Sequence, residues 1–435
     1  MDRRRFLQAG TGVMALGAVR AVPARAQDEG WSRFDLSGRQ PDANSLILPE
    51  GFVSRVVATS GQTVEGTDLT WHIFPDGGAT FEVDGGYVYV SNSEVPDGAG
   101  GVGAIRFASD GTIVDAYRIL EGTSINCAGG PTPWGTWLSC EEHEEGRVWE
   151  CDPTAPGQGK VRPAMGTFVH EAVAVDVDGE RLYLTEDRPD GRFYRFTPAA
   201  YPDLSDGVLE VAAVADGTVT WLPVPDPLAT TAPTRTQVPQ SAAFNGGEGI
   251  VFHDGSVFFT TKGDDHVWRH DPAADTLDVI YDGSSTLRGV DNITATPDGD
   301  LLVAEDGDDL ELVLVDAAGR LQPIARCTDN PGSELCGPAF DPSGTRLYFS
   351  SQRGGADGIG RTYEITGPFG GAPGATTRET ADAPASGDEG VSWVVPALGG
   401  TGILVGAAAV WHLRTRGLRR DDASAAADAR QTSPP

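Results

Sequence analysis

The sequence predicts an all-β protein, a six-bladed β-propeller with an N-terminal signal segment and a C-terminal transmembrane helix. Two observations predict the propeller. Between Ser32 and Thr366 no long pattern with a period of 3.6 residues occurs, whereas short strands separated by DG or GG turns recur. The recurring units are spaced 44–48 residues apart, with one longer gap of 75 residues. A period in the forties with four short strands per unit is typical of propeller blades.

Six segments carry this repeat, and each contains a strand, a tight turn, a second strand and a polar tip. The last apolar residues of the second strands are Val90, Leu138, Leu184, Phe259, Val303 and Phe349. The long gap holds an insertion of roughly residues 203–243 that is rich in Pro, Asp and Thr. The early strand GFVSRVVAT, from Gly51, is expected to close the ring with the last blade. We therefore expect the propeller to span residues 46–366, and a β-sandwich with accidental spacing is the alternative.

The N-terminus has the features of an export signal. Arg3-Arg4-Arg5-Phe6-Leu7 resembles the twin-arginine motif, and an apolar run follows it. Ala24-Arg25-Ala26 then provides an A-x-A cleavage site. Residues 1–26 are therefore predicted to be a signal peptide handled by the twin-arginine translocase, and an amphipathic first helix is the alternative.

The C-terminus carries a second apolar segment, residues 391–411, which contains no charged residue. At about 1.5 Å rise per residue, a helix of this length crosses a hydrocarbon core of about 30 Å. Arginines follow it, so the tail of residues 412–435 is expected in the cytoplasm. Residues 367–390 are rich in Pro, Gly, Ala and Thr and are predicted to be a flexible linker. The propeller would then be anchored to the cell membrane and face outside the cytoplasm, and a buried core helix is the alternative.

The charge balance excludes one class of partner. The chain has 63 acidic and 32 basic residues and a net charge of −31, so it repels nucleic acid and suits cations. Its cysteine count is odd: Cys127, Cys140, Cys151, Cys327 and Cys336. In an exported monomer, which we expect here, one thiol would remain free or bind metal, and the others could form up to two disulfides with no pairing fixed by the sequence.

The segment NCAGGPTPWGTWLSCEE, residues 126–142, has a thiol at one end and two carboxylates at the other. In a blade the first strand lies nearest the channel, and the second strand runs antiparallel to it. The start of the first strand and the end of the second therefore meet at one mouth of the channel. We expect the following residues there: Asn92, Glu94, Asn126, Cys127, Glu141, Glu142, His170, Glu171, Glu186, Asp187, Glu248, Asp291, Asn292, Glu305 and Asp306. The predicted metal ligands among them are Asn92, Glu94, Cys127, Glu141, Glu142, Glu171, Glu248, Asp291, Asn292 and Glu305.

So many carboxylates at one mouth repel each other unless cations neutralise them. Carboxylate and amide oxygens suit hard ions, calcium above all outside the cell, whereas a thiolate prefers a softer or redox-capable metal such as iron. The sequence therefore predicts a mixed metal cluster. For Cys127 the alternatives are a small buried side chain or half of a disulfide.

These motifs resemble those of the PhoX-type alkaline phosphatases from about Asn92 to Gln352. NCAGGPTPWGTWLSCEE carries most of the resemblance, and HEAVAVD, YLTEDR, GGEGI, VDNITATPDGDLLVAEDG and GPAFDPSGTRLYFSSQ follow in order. The resemblance implies a six-bladed propeller that hydrolyses phosphate monoesters outside the cytoplasm at an Fe3+ and Ca2+ cluster. It also implies that Cys127 is an iron ligand. The residues that would share iron and calcium are Glu142, Glu171, Glu248, Asp291 and Glu305.

Three basic residues are candidates for catalysis, because they would hold the phosphate group at the mouth. Arg288 offers a bidentate fork three residues before Asp291, and Lys262 and Arg353 are the other two. Each alone is also compatible with an ordinary surface charge. Two other functions stay open: a calcium-dependent lactonase-like hydrolase, and a non-catalytic surface propeller that binds calcium.

Overall fold

The computed structural model describes residues 34–369 except residues 308, 330–331 and 355–357. The predicted signal peptide, transmembrane helix and tail lie outside the described residues, as does the predicted linker beyond its first three residues. Within the described part of the chain, we find no helix with the length and apolarity needed to cross a membrane.

The described residues form β-strands throughout, with short 3-10 turns at Pro163–Met165, Thr234–Thr236 and Lys262–Asp264. The strands of the first half are β1 (Leu46–Ile47), β2 (Val53–Thr59), β3 (Pro75–Val83), β4 (Gly86–Ser93), β5 (Gly100–Ala108), β6 (Ile113–Thr123), β7 (Asn126–Pro131), β8 (Trp137–Glu141), β9 (Val148–Cys151), β10 (Lys160–Val161), β11 (His170–Asp176), β12 (Arg181–Glu186) and β13 (Phe193–Ala200). The strands of the second half are β14 (Asp203–Ala215), β15 (Thr218–Pro223), β16 (Gly247–His253), β17 (Ser256–Thr261), β18 (His266–Asp271), β19 (Thr276–Asp282), β20 (Val290–Ala295), β21 (Leu301–Glu305), β22 (Glu311–Val315), β23 (Leu321–Cys327), β24 (Leu335–Phe340), β25 (Arg346–Ser351) and β26 (Arg361–Thr366).

These strands form antiparallel meanders that share one plan. Hydrogen-bonded sheets contain β3–β6, β7–β10, β20–β23 with β1, and β24–β26 with β2. A nine-stranded sheet combines two further meanders, β11–β15 and β16–β19, which are joined only by the pair Thr218↔Thr276. The insertion predicted from the sequence supplies the hairpin β14–β15, and its edge reaches the edge of the next meander.

The first strands of the meanders surround a central channel. They are β3, β7, β11, β16, β20 and β24, and each contacts the next, with β24 contacting β3. The early strand β2 pairs with β26, from Val53↔Thr366 to Thr59↔Arg361, where the sequence placed it. The prediction of an all-β, propeller-like fold is therefore confirmed.

The apolar core is divided into clusters that lie between consecutive meanders. Val90 of β4 packs with Trp137 of β8 in one cluster, and Tyr281 of β19 packs with Val303 of β21 in another. Leu312 of β22 similarly shares a cluster with strands β25 and β26. Burial of these side chains between sheets, rather than within one central core, holds neighbouring meanders together.

The DG pairs in the sequence make the tight turns that the repeat requires. Asp254 and Gly255 link β16 to β17 with φ values of 45° and 74°. Asp216 and Gly217 link β14 to β15 in the same way, with φ values of 49° and 76°. Positive φ at both central residues is the requirement of a type I′ turn, whose twist matches that of the flanking strands.

Candidate metal centre at the channel mouth

Each first strand contains a β-bulge near its start, next to the residues that could bind metal. In β7, Asn126 pairs with Glu141 and Gly129 pairs with Ser139, so three steps on one strand match two on the other. The same one-residue bulge occurs near the start of each of the other first strands. Bulges redirect a side chain out of its ladder position. We call the second residues of these strands the inner ring: Asp76, Cys127, Glu171, Glu248, Asp291 and Cys336.

A second set of residues follows the ends of the second strands. The last residue of each second strand pairs with the first residue of its partner, as in Val290↔Glu305, so the next residue lies beside the inner ring. We call these residues the outer ring: Glu94, Glu142, Asp187, Lys262, Asp306 and Gln352.

Side chains of both rings approach each other closely enough to hold cations. Four groups have ligand atoms that all lie within 4.8 Å of one another: Cys127–Glu142–Glu171, Glu171–Glu248–Asp291, Asp291–Asp306–Glu334, and Asp76–Glu94–Glu334. Glu334 directly precedes β24. Because Glu171, Asp291 and Glu334 each belong to two groups, the four groups form one continuous arc.

Small residues bring the inner strands this close together. A Cβ atom on Gly77 would lie 2.5 Å from the Cα of Ala128, and one on Gly249 would lie 2.6 Å from the Cα of Asn292. Farther along the same strands lies a cavity of about 250 Å³, and half of its lining residues are glycine or alanine. Larger residues at these positions would force the strands, and with them the rings, apart.

Cys127 has a donor set suited to a metal. Its Sγ lies 3.3 Å from Oε1 of Glu171, and burial, followed by the carboxylates of Asp76 and Glu171, raises the pKa of this thiol. Glu171 is fully buried, and its Oε2 has no hydrogen-bond partner. A cation that replaced the thiol proton would satisfy this oxygen, so the residues fit a metal ion.

Asn92, predicted to lie at the mouth, supports Cys127 through the backbone. Its Nδ2 donates to the carbonyl oxygens of Cys127 at 3.0 Å and Ala128 at 2.7 Å. Its Oδ1 accepts from Nε1 of Trp137 and from Oγ of Ser139, both at 2.9 Å. The amide therefore fixes the start of β7 and has its polar atoms engaged within the protein.

Two predicted carboxylates face away from the groups. Glu141 accepts from the backbone N–H of Ser124 and from Nε1 of Trp149, both at 3.0 Å. Glu305 accepts from the backbone N–H of Arg288 at 3.1 Å and from that of Glu311 at 3.0 Å. Side chains alternate along a strand, so the structure places the next residues, Glu142 and Asp306, in the groups instead.

Asn292 and Gln352 brace the inner ring. Nδ2 of Asn292 donates to Oδ1 of Asp291 at 2.8 Å, while its Oδ1 accepts from the N–H of Gly337 at 2.6 Å. Nε2 of Gln352 donates to Oδ2 of Asp76 and, at 2.7 Å, to Oε2 of Glu94. Glu94 thus lies at the mouth, as predicted, in the group with Asp76 and Glu334, and its Oε2 already accepts a hydrogen bond.

The three predicted basic residues lie in different surroundings. Nζ of Lys262 is 3.1–3.2 Å from oxygens of Glu248, Asp291 and Asp306. Arg353 contacts Glu334 at 2.9 Å. Arg288 is 53% exposed, and its guanidinium lies 3.6 Å from Asp265. Lys262 and Arg353 are therefore at the groups, whereas Arg288 donates its backbone N–H to Glu305, which belongs to none of them.

Crowding of carboxyl groups shifts their protonation. Burial, followed by Asp187 and Glu94, raises the pKa of Glu142 to about 9, and burial, followed by Asp291, raises the pKa of Glu334 to about 8. Burial opposes the charge of Lys262, but its carboxylate neighbours, led by Asp291, raise its pKa above the usual value. The mouth therefore demands protons or cations to balance its acidic groups.

Two acidic members and one thiol of this site were not predicted from the sequence: Asp76, Glu334 and Cys336. Asp187 and Asp306 were expected at the mouth but were not among the predicted metal ligands. Asp76 precedes Gly77, so the pair reads as a turn signal although it begins a strand. All five cysteines are free thiols, so the disulfides considered from the sequence are not formed.

Comparison with known proteins supports the motifs. The family model of alkaline phosphatase PhoX matches residues 91–266, and no curated protein matches the chain. The structure of Pseudomonas fluorescens PhoX in complex with vanadate, a transition state analogue, is similar with a TM-score of 0.64 and 19% identity, covering 78% of this chain and 100% of that one. A gluconolactonase from Xanthomonas campestris has a TM-score of 0.45 and 14% identity, covering 80% and 96% of the two chains. The family model and the shared propeller-like fold thus confirm the resemblance to the PhoX-type alkaline phosphatases that the motifs indicated.

Proposed function

We propose that the protein is an extracytoplasmic metal-dependent phosphatase that hydrolyses small phosphate monoesters at an iron–calcium cluster in the channel mouth. The match to the PhoX family model supports phosphatase activity. The observation that carries the proposal is the group Cys127–Glu142–Glu171, a thiol among carboxylates within 4.8 Å, located inside the matched segment.

Ligand chemistry suggests how the cations are distributed. Fe3+ suits Cys127, Glu142 and Glu171, because this group contains a sulfur donor and an oxygen of Glu171 that lacks a partner. Ca2+ suits the all-oxygen group Asp76–Glu94–Glu334. When bound, these cations would supply positive charge to the phosphate oxygens and lower the pKa of a bound water.

Arg353 is the side chain best placed to orient a phosphate. It pairs with Glu334 at 2.9 Å, lies 5.6 Å from the ring of Phe74 and is 42% exposed, so it is held at the group yet reaches solvent. A guanidinium fork binds two phosphate oxygens at once. Lys262 is surrounded by carboxylates and would offset their charge, and Arg288 would hold Glu305 in place through its backbone N–H.

The experiment is phosphate release from a chromogenic monoester by purified full-length protein supplied with iron and calcium. We expect turnover at alkaline pH, its loss with a chelator, and a visible absorption band from thiolate-to-iron charge transfer. A chromogenic lactone serves as the matched control substrate. Calcium binding without iron, together with lactone but not monoester hydrolysis, would replace this proposal with the lactonase-like alternative. Calcium binding with no hydrolysis would favour the non-catalytic propeller.

The proposal includes the domain organisation and the location of the protein. We propose a cleaved twin-arginine signal at residues 1–26, a propeller at 46–366, a linker at 367–390, a membrane anchor at 391–411 and a cytoplasmic tail at 412–435. Its supports are the twin arginines, the uncharged apolar segment and the arginines after it. Protease added to intact cells should remove the propeller, and a protected propeller with a digested tail would reverse the topology.

We further propose that the propeller has six blades. The nine-stranded sheet would be two blades, because one pair, Thr218↔Thr276, links its halves and each half begins with a strand at the channel. An experimental structure with continuous pairing between β15 and β19 would reduce the count.

A further inference from the structure

Lysine is scarce in this protein, and one of its two lysines lies at the channel mouth. Of the 32 Lys and Arg residues, only Lys160 and Lys262 are lysines. Lys160 is an exposed residue of the edge strand β10. Lys262 belongs to the outer ring, where four of the five other positions are carboxylates: Glu94, Glu142, Asp187 and Asp306. A chain that otherwise uses arginine thus has a compact ammonium group in a ring of acids.

The ammonium group of Lys262 is surrounded as a small cation would be. Its Nζ lies 3.1 Å from Oε1 of Glu248, 3.2 Å from Oδ2 of Asp291 and 3.2 Å from Oδ2 of Asp306. The contact with Asp306 is a hydrogen bond, and those with Glu248 and Asp291 are ion pairs. An ammonium has three N–H donors, so it can serve three carboxylates at once. The broader, planar guanidinium of arginine fits two oxygens in its plane rather than three converging ones.

The backbone delivers this side chain from a fixed position. The N–H of Lys262 donates to the carbonyl of Gly246 at 2.8 Å, and Lys262 begins the 3-10 turn Lys262–Asp264. Oγ1 of Thr261, the preceding residue, accepts from Nε1 of Trp268 at 3.0 Å. The ammonium therefore belongs to a constrained segment and not to a freely moving loop.

The ammonium of Lys262 contacts members of two of the four groups. Glu248 and Asp291 belong to the group with Glu171, and Asp291 and Asp306 belong to the group with Glu334. Lys262 engages two members of each group. The ion pairs of Lys262, at 3.1–3.2 Å, do not include a carboxylate of the Cys127–Glu142–Glu171 group or of the Asp76–Glu94–Glu334 group.

We propose that Lys262 takes the place of a metal ion, its ammonium serving as a tethered counter-cation that confines bound metal to the Cys127 and Asp76 groups. Lys262 is a positioning residue, since it holds Glu248, Asp291 and Asp306 together without adding a Lewis acid. This inference rests on the proposed function only in taking the Cys127 and Asp76 groups as the metal sites.

The test compares metal content in Lys262→Met, Lys160→Met and the parent, each as the full-length protein. Methionine keeps the length of the stem and removes the charge. After saturation with calcium and gel filtration, elemental analysis should find about one more calcium per chain in Lys262→Met, and the parent value in Lys160→Met. In chelator, Lys262→Met should melt at a lower temperature than Lys160→Met, because the buried carboxylates of Glu248 and Asp291 and the partly exposed one of Asp306 then lack a counter-charge.

An equal calcium content in all three proteins, with equal melting in chelator, would overturn the proposal. If Lys262→Met does not fold, anomalous scattering from crystals of the calcium-loaded parent decides. Metal density touching Asp306, with Lys262 displaced, would contradict the inference, and an ordered Lys262 on its three carboxylates would support it. Because metal is counted without substrate, a parent that lacks phosphatase activity would overturn the proposed function and leave this result unaffected.

Discussion

The two halves of the channel mouth balance their charge in different ways. One half, from β7, β8 and β11, holds Cys127, Glu142 and Glu171, and no basic side chain of the described residues lies within 4.0 Å of its carboxylates. The other half, from β16, β17, β20 and β21, encloses the ammonium of Lys262. The first strands of both halves contain the same one-residue bulge, so the difference in charge comes from the side chains that they carry. The first half depends on protons or an external cation for charge balance, whereas the second already contains an ammonium.

The largest effect should come from removing metal, which acts on the first half and on the Asp76 group together. The pKa of Glu142 is about 9 and that of Glu334 about 8 in the folded protein, against an ordinary value of 4.5. Between those values the folded state holds protons that the unfolded state has released, so the stability that these two groups contribute is full below pH 4.5 and falls as pH rises toward 9. The slope is about 1.4 kcal/mol per pH unit for each such proton.

Urea unfolding in chelator at steps from pH 5 to pH 9 measures this fall. Reloading with iron and calcium should flatten the dependence, because cations replace the protons. A chelated protein as stable at pH 9 as at pH 5 would mean that the first half has no unmet demand for cations.

The next largest effect is expected from Cys127→Ser, which removes the thiol, a donor that the Lys262 half does not have. Loss of iron and a drop in turnover on the order of 100-fold or more should follow, because serine is a poor iron ligand of nearly the same size. Cys327→Ser is the matched control, since Sγ of Cys327 donates to Asp329 and a serine hydroxyl does the same. Equal iron content in both variants, measured by elemental analysis, would remove the distinction between the halves.

A comparison of neighbouring glutamates tests which strand face carries the site. Glu142→Gln should lower turnover about tenfold or more, because it removes a charge from the Cys127 group. Glu141→Gln should instead lower stability by about 1 kcal/mol, since Glu141 accepts from Trp149 and Ser124. Turnover and urea unfolding of both variants separate these outcomes, and a larger loss of activity in Glu141→Gln would reverse the assignment.

The smallest effect should come from Gln352→Glu, which adds a negative charge beside the Asp76 group and removes the side-chain amide that donates to two of its carboxylates. Gln352 donates to Asp76 and Glu94, and glutamate would replace this donor with a further acceptor. Calcium affinity should rise a few-fold, and melting in chelator should fall by a few degrees. Titration calorimetry with calcium measures the first change, and unchanged affinity would show that this group does not bind the ion.

Much of the fold follows from local sequence patterns. The spacing of the repeats and the DG pairs predicted the meanders, because each meander depends on residues close in sequence. The closing strand β2 followed instead from the ring architecture, since it pairs with β26 at the other end of the propeller. The fusion of two meanders into a nine-stranded sheet had no such signal. It depends on Thr218↔Thr276, a contact between the edges of distant hairpins that only the folded chain brings together.

The site was predictable where strands begin and less so where they end. Cys127, Glu171, Glu248 and Asp291 were expected at strand starts, and they form the inner ring together with Asp76 and Cys336. At the strand ends, Glu305 and Asp306 were both expected at the mouth, and only the pairing Val290↔Glu305 shows where the ladder stops and which of the two reaches the groups. A shift of one residue moves a side chain to the opposite face.

The bulges at the starts of the inner strands also bear on how such a protein diversifies. Because the backbone aims the ring positions toward the channel, exchanging a carboxylate for an amide, a thiol or an ammonium leaves the strand pairing intact. New metal preferences, or none, are then accessible by single substitutions that leave the strand pairing unchanged. The propeller thus separates what mutation alters from what folding requires, and evolution can vary the chemistry of the mouth while the architecture stays constant.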